Sequence, residues 1–326
     1  MGPKGIRMIG ACGSLIGLAA ALLVSAQLPA RAAEGSSSWG FSLSNLDRGC
    51  KPCDDFYEFA MGGWMKANPI PPEYASWGTF TELRDANLTA MRTILDAAAK
   101  ANAPAGSNEQ KIGDFYATCM DTAAIEAAEL SPIAEDLAAI EAIHDRKALD
   151  AEIARLQREG AGVLFRFSSG QDVKDSTRVV AQAGQGGLGM PDRDYYLRED
   201  PKSKQLREDY QHHVTKMIEL VGDPPEKAAQ EAGTVMTIET SLAKVSRTRV
   251  ELRDPEKNYN LMNLSEMKSL TPDWSWENYL HRIGAPTVEQ VNVRQPEFFK
   301  EIDRELSSVS LPDWKVYLRW HLLHAS

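Results

Sequence analysis

Apolar positions recur at helical spacing along most of this chain. Phe80, Leu83, Leu88, Met91, Ile94 and Leu95 fall largely three or four residues apart, so residues 79–100 are predicted to form an amphipathic helix. Prolines precede this stretch and Pro104-Ala-Gly-Ser107 follows it, which punctuates both ends. Similar patterns predict helices over residues 108–121, 122–144, 147–159, 203–221, 225–247, 296–306 and 312–324. Pro225, just past Gly222-Asp-Pro-Pro, suits the first turn of its helix. A short β candidate at 162–168 is predicted to pair with 177–182 across the polar turn 169–176. Gly184-Gln-Gly-Gly-Leu-Gly-Met-Pro191 then predicts a loop, because glycine and proline together sustain neither regular structure. An aromatic, proline-punctuated piece runs over 270–280. The predicted class is mainly α with a small β element.

Two stretches escape this periodicity. Residues 1–33 carry Lys4 and Arg7, then an apolar run of small residues, then Ala30-Arg31-Ala32-Ala33; this is the layout of a cleaved export signal. An uncleaved membrane anchor is the alternative, since the run is long enough to span a bilayer. A lipoprotein reading through Cys12 is weaker because the apolar run follows that cysteine. Residues 34–45 are a Ser- and Gly-rich lead-in. The second stretch, Cys50-Lys-Pro-Cys-Asp-Asp-Phe-Tyr-Glu-Phe-Ala-Met-Gly-Gly-Trp64 and on to Gly78, is crowded with aromatics, acids, glycines and prolines and shows no helical or strand period.

Composition is that of a globular protein, 326 residues with 43% hydrophobic and 25% charged. The net charge of −10 becomes more negative if the leader is removed, since Lys4, Arg7 and Arg31 leave without any acid. No basic block is present, which excludes nucleic acid as an expected partner. The sequence has no Gly-x-Ser-x-Gly elbow, no G-x-x-x-x-G-K and no H-E-x-x-H. Gly184–Gly189 has a glycine-rich composition, but no lysine follows it and Met190-Pro191 blocks a helix start, so a structural loop is expected. His321-Leu-Leu-His324 has a helical i, i+3 spacing with no glutamate between, and is expected to sit beside a packed face. His212 and His213 are adjacent and point in different directions on a helix. Cys50-Lys-Pro-Cys53 is a C-x-x-C without the strand that normally precedes a redox centre. With Cys119 it leaves three cysteines past the leader, an odd number for an oxidising compartment.

The stretch from Pro52 to Trp64, with Asn68-Pro-Ile-Pro-Pro72 and Trp77-Gly-Thr-Phe80, resembles the neprilysin and endothelin-converting-enzyme family of exported zinc metallopeptidases. The similarity continues through Asp114-Phe-Tyr-Ala-Thr-Cys-Met-Asp121, Asp175-Ser176 and Gln185-Gly-Gly-Leu-Gly-Met-Pro-Asp-Arg-Asp-Tyr-Tyr-Leu197. It extends through Ile238-Glu-Thr-Ser-Leu-Ala243, Arg253-Asp-Pro-Glu-Lys-Asn-Tyr-Asn260 and Trp314-Lys-Val-Tyr-Leu-Arg-Trp320. It implies the family's amino-terminal domain over 46–326, ending before the catalytic zinc domain: a large helical lobe that faces a catalytic lobe across a peptide cavity. The family's zinc ligands have no counterpart here, so no cofactor is expected in this chain, and no peptidase activity from it alone. The resemblance implies peptide substrates, a catalytic lobe in cis or in trans, and a periplasmic or extracellular location, with membrane contact only through an uncleaved leader.

It also implies that Cys53 and Cys119 pair with cysteines beyond residue 326; Cys50 departs from the pattern, and a Cys50–Cys53 bridge is an alternative. Of two arginines with which better-known members hold a peptide's terminal carboxylate, Arg84 matches the second, while the first position is Ser76. That departure puts a dipeptide-releasing preference in doubt. Without the family, Arg84 reads as a surface helix residue paired with a nearby acid. The aromatics from Phe56 to Trp77 are expected to pack against a partner lobe. Rival readings are a non-catalytic peptide-binding protein, one half of a split peptidase, and a thiol-redox protein using Cys50 and Cys53.

Overall fold

The computed structural model describes residues 42–74 and 76–326. The predicted leader, Cys12 and the lead-in as far as residue 41 lie outside the described residues. The described residues divide into two compact units, the first ending at Cys119 and the second running over Met120–Ser326.

The first unit holds α1 (Phe56–Ala67), α2 (Thr79–Lys100) and nearly all of α3 (Asn108–Met120). The stretch without visible period thus contains a regular helix, a correction to the sequence reading. Asp55 starts α1 by accepting the Glu58 amide hydrogen bond at 2.9 Å. Gly62 and Gly63 stand where the Leu43–Asn45 turn and the residues after it cross the helix, and a Cβ at Gly63 would press on the carbonyls of Ser44 and Leu46. Packing against a neighbouring backbone, and not an apolar period, selects these residues. Asn68 ends the helix before Pro69, its side chain donating to the Trp64 carbonyl at 2.9 Å. The periodic pattern of 79–100 matches α2, and α3 approaches it at Gly113, where a Cβ would strike the Ala98 backbone.

In the second unit follow α4 (Thr122–Ala128), α5 (Ala134–Glu141), α6 (Arg146–Arg158), β1 (Phe165–Gln171), β2 (Val179–Gln185) and α7 (Asp194–Leu197). Then come α8 (Pro201–Leu220), α9 (Pro225–Val245), β3 (Leu261–Asn263), α10 (Leu264–Leu270), α11 (Trp276–Arg282), β4 (Gln290–Val293), α12 (Pro296–Ser308) and α13 (Leu311–Ala325). The class is mainly α, as predicted. The single helix expected over 122–144 is instead α4 and α5, separated by Glu129 at φ 47° and a short turn at Ser131–Ile133. Pro132 causes the break, because it lacks an N–H and its ring clashes with the preceding turn.

The β element is larger than the predicted hairpin. Four strands run in the order β1-β2-β4-β3, with β2 and β4 parallel and the other neighbours antiparallel. The hairpin starts three residues later than expected. Val163 donates to Ala161 and Phe165 to Val163, and Leu164 sits at φ 60°, so the backbone is still turning where the apolar run begins. Phe165 opens the strand at the centre of the core, its ring 5.3–5.7 Å from those of Trp274, Trp276, Tyr279 and Phe299. Around this cluster pack the buried faces of α6, α9, α12 and α13, including Leu149, Ile153, Leu242, Phe298, Trp314 and Leu318. A second apolar cluster joins α8, α9 and α13 through Val214, Ile218, Ala232, Val235 and Trp320.

Candidate functional site

In the first unit, α2 carries Arg84 on a face that no described residue of this unit buries. Phe80, Arg84 and Leu88 succeed one another at i, i+4 spacing, and Phe80 is 91% exposed. Met91 and Ile94 extend the stripe, each more than half exposed, and Phe115 of α3 is exposed as well. The Arg84 guanidinium lies over the Tyr74 ring, 5.5 Å from its centroid. Asp85 holds that platform together: it accepts from the Tyr74 hydroxyl at 2.9 and 3.0 Å, and one of its oxygens lies 3.7 Å from Arg84 Nε. Trp77 packs against Tyr74 with centroids 4.9 Å apart and the ring planes tilted by 56°. The result is a cation on an aromatic support, its donor fork turned to solvent and flanked by apolar side chains. Such a group can take a carboxylate bidentately. Ser76 is exposed nearby in sequence, and Phe56 and Tyr57 of α1 are about two-thirds exposed, so within the described residues these aromatics are not covered.

The second unit contains a fully buried acid that the sequence reading quoted but gave no role. Glu239 sits in the apolar stripe of α9, between Val235 and Leu242, and is inaccessible to solvent. Its carboxyl accepts from the hydroxyls of Tyr196 at 2.8 Å and Tyr210 at 3.0 Å, and from the Gly189 amide at 3.1 Å. Burial first, and then the Glu239 charge, pushes both tyrosine hydroxyls well above their usual range, so they stay protonated and donate. Trp320 donates in turn to the Tyr210 oxygen at 3.0 Å. The signal for this centre was present in the sequence: a glutamate where the helical period requires an apolar residue.

The glycine-rich loop is fastened to this centre. Tyr196 accepts from the Met190 amide, and Tyr317 accepts from the Leu164 amide while donating to the Gly187 carbonyl, both at 2.9 Å. Gly187 has φ 73°, and a Cβ at Gly189 would strike the Tyr210 hydroxyl. The loop is a docked structural segment, with the amides of Gly189 and Met190 donating to protein groups. The two histidines of α13 part company: His321 is buried with Nε2 3.1 Å from Glu239 Oε1, outside hydrogen-bond geometry, whereas His324 is exposed.

All three described cysteines have free thiols; Cys50 is half-buried, Cys53 and Cys119 are exposed. Among the described residues no three His, Cys, Asp or Glu side chains gather to hold a metal ion. No described helix is long and apolar enough to cross a membrane.

The sequence profile of peptidase family M13 matches residues 52–326. Among curated relatives, an endothelin-converting enzyme homolog of Locusta migratoria is 30% identical over 299 residues, which cover 86% of this chain and 40% of that protein. Human endothelin-converting enzyme 1 is 29% identical over 292 residues, covering 86% and 37% respectively. Among solved structures, the zinc metalloprotease Zmp1 of Mycobacterium tuberculosis in complex with an inhibitor superposes with TM-score 0.80 at 32% identity, covering 86% of this chain and 43% of that one. The open state of the same protease superposes with TM-score 0.70. The chain thus spans about two-fifths of the length of the curated relatives it matches.

Proposed function

We propose, from the premise that the chain belongs to peptidase family M13, the neprilysin and endothelin-converting-enzyme family, and covers its amino-terminal half, that it shapes the peptide-binding side of an exported zinc metalloendopeptidase. The exposed stripe of α2 carries this reading, because it sets one supported guanidinium among apolar side chains that remain uncovered in their own unit. Arg84 binds the terminal carboxylate of a peptide, Tyr74 and Asp85 orient the guanidinium, and Phe80 and Leu88 contact the peptide's apolar side chains. The remaining apolar surface of α2 and α3 meets a catalytic lobe, supplied in cis or in trans. A zinc held by that lobe would supply the Lewis-acid activation of water that amide hydrolysis needs. Residues 1–33 direct export to the periplasm or beyond the cell. Cys53 and Cys119, both exposed, then meet cysteines of that lobe.

Arg84→Ala tests the binding role in a peptidase assembled from this chain and its catalytic part. A charge-assisted bidentate contact is worth about 1.5–3 kcal/mol, so KM for a peptide with a free carboxylate should rise at least about tenfold. The same peptide carrying a terminal amide should be cleaved equally by both forms. Equal losses on the two peptides would show that Arg84 supports the helix and not the substrate.

The uncovered apolar stripe of α2 is equally compatible with a second arrangement, in which this chain works as one half of a split peptidase or captures peptides without cleaving them. Mixing it with a separately produced catalytic part separates these. Restored cleavage marks the split enzyme, and peptide binding without restored cleavage marks the capture protein.

A further inference from the structure

The sheet has an open edge at β1. Among the described residues this strand pairs with β2 on one side only, in an unbroken register from Phe165↔Gln185 to Gln171↔Val179. The direction in which each backbone group points follows from the next pair along. The Asp172 amide donates to the Arg178 carbonyl at 3.0 Å, which continues the register as a hydrogen-bonded pair. Antiparallel pairs alternate between bonded and non-bonded, so Arg166, Ser168 and Gly170 bond towards β2, while Phe165, Phe167, Ser169 and Gln171 direct their N–H and C=O away from the sheet.

The fold closes only the first of these outward positions. The Phe165 amide donates to Val163 at 2.7 Å, and its carbonyl accepts from the Gln157 side chain at 2.9 Å. Phe167, Ser169 and Gln171 have no such partner among the described residues. Their N–H and C=O groups form three donor–acceptor couples at two-residue intervals, a spacing complementary to an extended backbone. The usual protections of an edge are missing here: the strand has no proline and no bulge, and its one charge is Arg166. Arg166 is exposed and forms no ion pair among the described residues. Ser168, Ser169 and Gln171 are exposed too, so an incoming strand meets small or flexible polar side chains.

We propose that the β1 edge is a docking site for an extended peptide segment of another molecule, which adds as a fifth strand from Phe167 to Gln171 and places a carboxylate opposite Arg166. The site stands on strand geometry alone and is independent of the peptidase reading.

The test measures fluorescence anisotropy of a fluorescein-labelled, end-blocked heptapeptide of alternating threonine and valine with one aspartate near an end, titrated with the purified chain. Saturable binding is expected. Methylating alternate backbone nitrogens of the peptide removes two or three main-chain bonds in one of the two possible registers, and should weaken binding about tenfold or more in that register only. Ser169→Pro removes an outward N–H and no ladder bond, so it should abolish binding while the thermal unfolding midpoint stays in place. Arg166→Glu should reverse the preference between the aspartate peptide and its lysine counterpart. The proposal is overturned by no saturable binding, by binding indifferent to both methylation patterns, or by self-association that Ser169→Pro abolishes, which would give the edge to a second copy.

Discussion

Glu239→Ala is expected to destabilise the second unit by about 3–5 kcal/mol, because it leaves several buried donors unpaired and opens a cavity at once. The Tyr196 and Tyr210 hydroxyls and the Gly189 amide all converge on this one side chain. None of them faces solvent through it, since Glu239 is inaccessible. Against a typical total stability of about 5–15 kcal/mol, such a loss shows clearly in urea unfolding as a lower midpoint with little change in slope. Glu239→Gln should fall between, since it keeps the volume but turns an amide donor towards groups that also donate. Tyr196→Phe should cost less than Glu239→Ala, as it removes one donor and leaves the carboxyl bound by the others. A loss below about 1 kcal/mol for the alanine variant would mean that water replaces the carboxyl, and the centre would then have no structural role.

Phe165→Ala is expected to cost about as much, roughly 3–5 kcal/mol, through packing and not through polar groups. Its ring is only 3% exposed and touches four aromatic neighbours in tilted or edge-on contacts. It also begins β1 where the backbone leaves a strained turn at Leu164, so truncation removes the anchor that fixes the strand's start. Phe165→Leu keeps most of the buried apolar area, and should recover more than half of the loss. Calorimetric midpoints of the two variants separate the cavity from the ring geometry. A Phe165→Leu midpoint equal to that of the unsubstituted chain would show that the aromatic contacts add nothing beyond area, and one equal to that of Phe165→Ala would assign the whole effect to the ring.

The two substitutions mark the limits of what the sequence shows. Helices whose apolar faces repeat locally, such as α2, α6, α8, α9, α12 and α13, are legible because each residue's neighbours lie within a turn or two. The strand β4 is not, because its partner β2 lies over a hundred residues earlier in the chain and Gln290–Val293 alone is too short to show a period. The helix α1 was hidden for a different reason. Its glycines answer to a crossing backbone, and its exposed Phe56 and Tyr57 face away from its own unit's core, so neither follows a helical stripe. At the candidate site, Arg84 could be singled out only through the resemblance, since one arginine on an amphipathic helix carries no signal of its own. Glu239 could have been found without it, from an acid lodged in an apolar stripe, but its partners come from α7, α8 and the glycine loop and only the fold brings them together.

The central claim is that this chain contributes the peptide-shaping part of a peptidase and leaves the metal chemistry to another segment. Its most direct test is elemental analysis of the purified chain coupled to a peptide-cleavage assay with and without chelator. The account expects zinc well below one atom per chain after dialysis and no chelator-sensitive cleavage until a segment carrying H-E-x-x-H is supplied. One tightly held zinc per chain, with cleavage by the chain alone that a chelator stops, would contradict it.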